Sequence, residues 1–280
     1  MKRSLIIALA ALAIAAPSRG QDPLPRGSII QPGEVLRYKV RWTLFRLGTV
    51  TLKAVRDTGC TDPDDIRLEM IVESNPDLSF VWIREFNECL VDTRTFAPAL
   101  FHARHRNGEQ HTEIWHEVDR GQHRTVFRLT DRNTGALLQA DTLRGVEWFV
   151  EGPSLFFIAR CLSGTTGCRT LPTLVGGKLS TTDLRFGGEK VLIDVASASA
   201  PVRVRKFTGE AHWKGGTEAG LEGEFTGWIS DDEAAVPMAA ELKVLLGSIR
   251  LELESWTRDG WTPPTGEIYT QNGTSARQKP

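Results

Sequence analysis

From Val35 to Trp42, every second side chain is large and apolar: Leu36, Tyr38, Val40 and Trp42 alternate with Arg37, Lys39 and Arg41. A period of two sets one face against an apolar interior and the other toward water, the pattern of a half-buried strand. Gly48 then marks a turn, and residues 49–56 repeat the alternation with Val50, Leu52 and Ala54 on one side. Ile66, Leu68, Met70 and Val72 do the same opposite Arg67, Glu69 and Glu73, and Ile249, Leu251 and Leu253 alternate with Arg250, Glu252 and Glu254. Wound as helices, these segments would bring charges into their apolar stripes, so they read as strands.

Further strands are predicted at 81–86, 99–105, 112–118, 124–130 and 137–143, then at 178–186, 190–196, 202–207, 223–230 and 239–245. Turn residues separate most of them, as in Asn75-Pro76-Asp77, Asn107-Gly108 and Asn133-Thr134-Gly135. Such short links join antiparallel neighbours, because parallel strands need longer crossovers. One helix is predicted at 153–161, where Pro153 suits a first turn and Leu155, Phe156, Phe157 and Ile158 require burial. The expected fold is therefore all-β: a single large antiparallel curled sheet, barrel or half-barrel, with one short helix. A two-layer β-sandwich would show the same alternation and is the alternative.

Ahead of the strands, Lys2 and Arg3 precede an apolar run from Leu5 to Ala16. As a helix it would span only about 18 Å, short of a hydrocarbon core of about 30 Å. A basic start, a short apolar middle and a small-residue exit are the anatomy of a secretory signal peptide, with cleavage after Ala15 or Gly20. No cysteine stands near either position, which speaks against a lipid anchor. The expected organisation is a signal peptide at 1–20, a lead-in at 21–32, one β domain at 33–256 and a mobile tail at 257–280. No later stretch has the length of a membrane-spanning helix, and the expected location is the periplasm.

Charge changes this picture little. Cleavage after Gly20 removes Lys2, Arg3 and Arg19, leaving 31 basic against 35 acidic side chains. The basic residues are spread along the strands with no stripe to track a phosphate backbone, so a nucleic-acid partner is not expected. The four cysteines fit an oxidising compartment. Cys161 and Cys168 bracket a flexible Leu-Ser-Gly-Thr-Thr-Gly segment and are the first candidate disulfide, leaving Cys60 with Cys89; two other pairings stay open. No CxxC or CxH spacing supports zinc.

Three segments carry a family likeness. Gly33-Glu34-Val35-Leu36-Arg37-Tyr38, then Trp42 and Gly48, resembles the opening of the "domain of unknown function 3108" family of exported bacterial proteins. Pro153-Ser154-Leu155 with Arg160 is similar to that family's central Ser-rich segment. The likeness is most specific in Gly227-Trp228-Ile229-Ser230-Asp231-Asp232, Val236-Pro237 and Gly247-Ser248-Ile249-Arg250-Leu251-Glu252-Leu253. The resemblance spans about residues 33–254 and implies an envelope β-sheet protein that carries or holds a lipophilic molecule; it implies no catalytic residue.

Candidate chemistry is sparse. Asp231 and Asp232 are adjacent, so on a strand they would face opposite sides; a turn, where they accept backbone N–H bonds, suits them better. Five of six histidines fall at positions 102, 105, 111, 116 and 123. Parity along the chain groups His102 with His116, and His105 with His111 and His123, but charged neighbours make a solvated face the simpler reading and no metal site is expected. There is no GxSxG elbow or phosphate-cradling loop, and neither a catalytic residue nor a cofactor is expected. Eight tryptophans against two tyrosines suggest a wide apolar interior, with Tyr38, Trp42 and Trp228 as candidate lining of a ligand cavity. The expected function is binding or carriage of a lipophilic envelope component; the alternative is an envelope structural or assembly module acting through protein contacts, with an enzyme third.

Overall fold

The computed structural model describes residues 29–56, 64–78, 82–146, 148–213, 223–244 and 247–266. The expected export signal, most of the lead-in and Cys60 lie outside these residues.

The first half of the chain forms β1 (Val35–Trp42), β2 (Phe45–Val55), β3 (Asp65–Ser74), β4 (Ile83–Asp92), β5 (Pro98–Asn107), β6 (Gln110–Asp119), β7 (Arg124–Asp131) and β8 (Leu137–Arg144). Helix α1 (Ser154–Leu162) follows, then β9 (Gly167–Val175), β10 (Lys178–Ile193), β11 (Val202–Ala211), β12 (Gly223–Ser230), β13 (Pro237–Lys243) and β14 (Ser248–Thr257). All strands join one antiparallel sheet in the order β8-β7-β6-β5-β4-β3-β2-β1-β14-β13-β12-β11-β10-β9. The sheet is not closed, since β8 and β9 are its edges. This is the expected curled sheet with one short helix, in its open form, and the sandwich alternative is set aside.

Curling brings together strands that stand far apart in the sheet order. One buried cluster joins Ile66, Leu68, Cys89 and Phe101 of β3–β5 to Leu171, Leu184 and Phe207 of β9–β11. Helix α1 lies in the same cluster through Phe157, Ile158, Ala159, Cys161 and Leu162, so it plugs the curl. Pro153 occupies the helix N-cap, where a missing N–H sacrifices no intrahelical bond. A second cluster packs Leu36, Tyr38, Val50, Leu52 and Leu253 against Val191, Ile193, Val202, Val204 and Trp228.

Because every connection between sheet neighbours reverses direction, the turns fall at two ends. The β1–β2, β3–β4, β5–β6, β7–β8 and β9–β10 turns share one end, called the upper end here; the β12–β13 turn and the start of β1 share the lower end. A buried charge network braces the lower end. Arg160 of α1 donates to both carboxylate oxygens of Glu34 and to the carbonyls of Ala234, Ala235 and Ile29. Arg258 pairs with the same carboxylate. Glu34 and Arg160 are each 1% exposed, and such a burial is tolerable only because the two charges are paired and hydrogen-bonded.

The β12–β13 turn gives Asp231 and Asp232 the structural role expected of them. Asp231 accepts from Arg205 and Lys190. Burial pushes its carboxyl up, but those two cations outweigh burial and hold it below the usual aspartate range. Asp232 accepts from the Ser230 hydroxyl, the Ala235 N–H and the Trp261 indole N–H at 2.8–3.0 Å. Arg203 N–H also donates to Pro264, so the first part of the stretch set aside as a tail is packed on the sheet as far as Gly266.

Three sequence expectations differ from the fold. Periodicity does not predict β9, whose first residues are exposed and which contains Pro172; on an edge strand the absent N–H breaks no ladder. The strands expected at 178–186 and 190–196 are one strand, β10, with a register shift between Phe186 and Lys190 around Gly187-Gly188. The Cys161–Cys168 bridge is not formed: Cys161 points into the core from α1, Cys168 is exposed on β9, and both are free thiols, as is Cys89. Burial pushes the Cys161 thiol up to about 12.

Candidate functional site

Tyr38 and Trp228, expected to line a cavity, meet in the second core cluster, where they are 3% and 4% exposed. Tyr38 Oη donates to the Pro237 carbonyl at 3.0 Å, and burial pushes its phenol up. The Trp228 indole N–H is buried with no partner among the described residues. Trp42 is half-buried at the upper end.

Register scatters the histidines. In the β5–β6 hairpin His102 opposes Trp115 and His116 opposes Phe101, so even positions on one strand share a face with odd positions on the next. His102 therefore lies on one face, stacked on Trp115 at 3.8 Å and held between Glu88 and Glu113. His116 lies on the other, bonded through Nδ1 to Glu151 just ahead of α1. His116, Glu151 and the neighbouring Cys89 are at most 2% exposed and lie in the interior of the curl. Among the described residues no group of His, Cys, Asp and Glu is arranged to hold a metal ion.

The same register gathers basic side chains that look scattered in sequence. Arg84 on β4 opposes Arg106 on β5, and Arg106 opposes His111 on β6. One step along, Phe86 opposes Arg104, whose guanidinium sits 4.8 Å from the ring centroid. Arg132, in the turn after β7, is tied to β6 by its N–H bond to the His111 carbonyl. These groups, with Ile71, Glu85 and His105, line an open pocket of about 420 Å³ at the upper end.

Directly opposed residues on neighbouring strands stand about 5 Å apart, and like charges there repel. Arg84 is relieved in part by Glu73 at 3.3 Å, both being well exposed. Arg104, Arg106 and Arg132 have no carboxylate partner among the described residues. His105 is occupied by Asn87 Oδ1 at 3.1 Å. The pocket thus presents a row of cations beside the apolar surface of Ile71 and Phe86, a combination suited to an anion with a hydrophobic body. No local motif announces it, because it exists only once three strands are in register.

Comparison with known proteins agrees with this architecture. The family model described as "Protein of unknown function (DUF3108)" matches residues 37–254. No curated protein matches the chain. A crystal structure of a β-barrel-like protein of domain of unknown function DUF1849 from Brucella abortus is similar in fold, with a TM-score of 0.51 at 8% identity over 80% of this chain and 96% of that one.

Proposed function

The chain belongs to the DUF3108 family, and on that footing we propose that it is an exported envelope protein that binds an acidic amphiphile at the upper-end pocket. One observation carries the reading: the Arg84–Arg106–His111 row, with Arg104 and Arg132 beside it, around a pocket of about 420 Å³. Arg104, Arg106 and Arg132, with no carboxylate partner among the described residues, repel one another until an anion is bound, and their guanidinium groups suit phosphate or carboxylate oxygens. Ile71 and Phe86 offer the adjoining apolar surface to the body of the ligand. The pocket volume falls within the usual range for small-molecule sites, about 300–1,000 Å³. This reading moves the ligand from the interior, where α1 packs, to the sheet surface. Residues 2–20 support a periplasmic location through their basic start, apolar run and small-residue exit.

Calorimetric titration with dodecyl phosphate, dodecanol and inorganic phosphate tests the proposal. Dodecyl phosphate should bind more tightly than either of its parts alone. Exchanging Arg104 and Arg106 for alanine should weaken that binding at least tenfold, about 1.4 kcal/mol, while the melting temperature holds. Equal affinity for dodecanol and dodecyl phosphate, or an unaffected double variant, would reject it.

A further inference from the structure

The two ends of the sheet differ in kind. The lower end is closed by the Glu34–Arg160–Arg258 network and the Asp231–Asp232 turn. The large apolar side chains that stand exposed among the described residues are Leu44, Phe45, Trp82, Leu137, Leu138 and Leu179, at 87, 59, 59, 60, 55 and 45% exposure. All six belong to the upper end. Leu44 and Phe45 sit at the β1–β2 turn, Trp82 precedes β4, Leu137 and Leu138 open β8, and Leu179 lies near the start of β10. The row of arginines opens at this same end.

Scattered exposed apolar residues need no explanation, but six confined to one end of a curled sheet do. They are carried singly or in pairs on four hairpin tips. A protein partner would need a continuous complementary face. A bilayer needs only that several apolar tips reach the same plane, with Trp and Leu entering the interface while Arg contacts headgroups. We infer that the upper end docks on an anionic lipid surface, with Leu44, Phe45, Trp82, Leu137 and Leu138 entering the interface and Arg84, Arg106 and Arg132 meeting acidic headgroups. This goes beyond the pocket's own ligand and rests on the tips together with three arginines shared with the proposed pocket.

Vesicle co-sedimentation of the full chain separates the two. Vesicles of phosphatidylcholine with 30% phosphatidylglycerol, a composition chosen for an appreciable negative surface potential, should retain the protein, and phosphatidylcholine alone should retain at least tenfold less. Exchanging Leu44, Phe45 and Trp82 for serine should reduce binding to the anionic vesicles at least tenfold. Because these side chains are already exposed, the melting temperature and the dodecyl phosphate affinity of that variant should not change. A second variant, Arg106→Glu with Arg132→Glu, should lose vesicle binding while its tips remain. The inference is overturned by wild-type protein that stays in the supernatant, by equal retention on both vesicle types, or by a tip variant that sediments like wild type. Loss of self-association in the tip variant without loss of vesicle binding would assign the tips to a second copy of the chain and overturn it as well.

Discussion

With both oxygens of Glu34 taken up by Arg160 and Arg258, removing Arg160 leaves a carboxylate buried beside one cation, takes the Arg160 bonds from the Ala234 and Ala235 carbonyls, and leaves Ile29 with Arg258 alone. Arg160→Ala should therefore destabilise the fold by about 3–5 kcal/mol. Arg160→Lys should recover little, since an ammonium cannot reach five acceptors in one plane. Urea unfolding checks both, and a loss below ~1 kcal/mol would mean the network contributes little. Gly227 is a different case, because a Cβ there would overlap the ring of Phe207; Gly227→Ala should destabilise by about 1–3 kcal/mol through overpacking. These roles were only partly legible in the chain. An arginine inside Leu-Phe-Phe-Ile-Ala-Arg is a visible anomaly, but its partner lies 126 residues away and no local pattern points to it. Gly227 and Asp232 stood out as members of a resemblance, and their contacts supply the reason: one makes room for an aromatic ring, the other fastens a turn to Trp261.

At the scale of the element, alternation carried most of the information. In β1 the buried Leu36 and Tyr38 alternate with outward Arg37 and Lys39, and the periodicity predicts its bounds as they stand. The same signal misses β9, because an edge strand has fewer buried positions and tolerates Pro172. The edges themselves are unequal. Residue Val150 pairs with β9 through bonds to Pro172 and Leu174, whereas among the described residues the outer side of β8 has no strand beside it. Along β8, Asp141 is the charge that interrupts Leu137, Leu138, Ala140 and Leu143. A charge on an open edge discourages pairing with a second chain. Asp141→Val should consequently speed the rise of light scattering on mild heating while leaving the unfolding midpoint in urea within about 0.5 kcal/mol of the original. Scattering traces that superimpose for the two proteins would show that Asp141 does not guard the edge.

For the whole molecule, the sheet order decides what the chain could not disclose in advance. Parity along the sequence pairs His102 with His116, yet the odd register of the β5–β6 hairpin sends them to opposite faces and instead aligns Arg84, Arg106 and His111. Stability also depends on carboxylates spread over the whole sheet. Asp92, Asp231, Glu88 and Glu252 all titrate below their ordinary values of 3.8 or 4.5. In each, burial opposes ionisation but is outweighed by donors: the Thr95 and Arg94 amides for Asp92, Lys190 and Arg205 for Asp231, His102 and Arg67 for Glu88, and the Ala196 amide and Lys39 for Glu252. A depressed folded-state value means that the unfolded chain takes up protons first as pH falls, so the stabilisation is complete above the ordinary values and fades below them. Thermal unfolding should accordingly be flat from neutral pH down to about 5.5 and then shift to lower temperature through the 4.5–3 range. Asp231→Asn should lower the melting temperature at neutral pH and flatten the acid slope, since its amide has no proton to gain. If that variant kept the wild-type slope, the ties from Asp231 to Lys190 and Arg205 would not be among the contacts that acid releases.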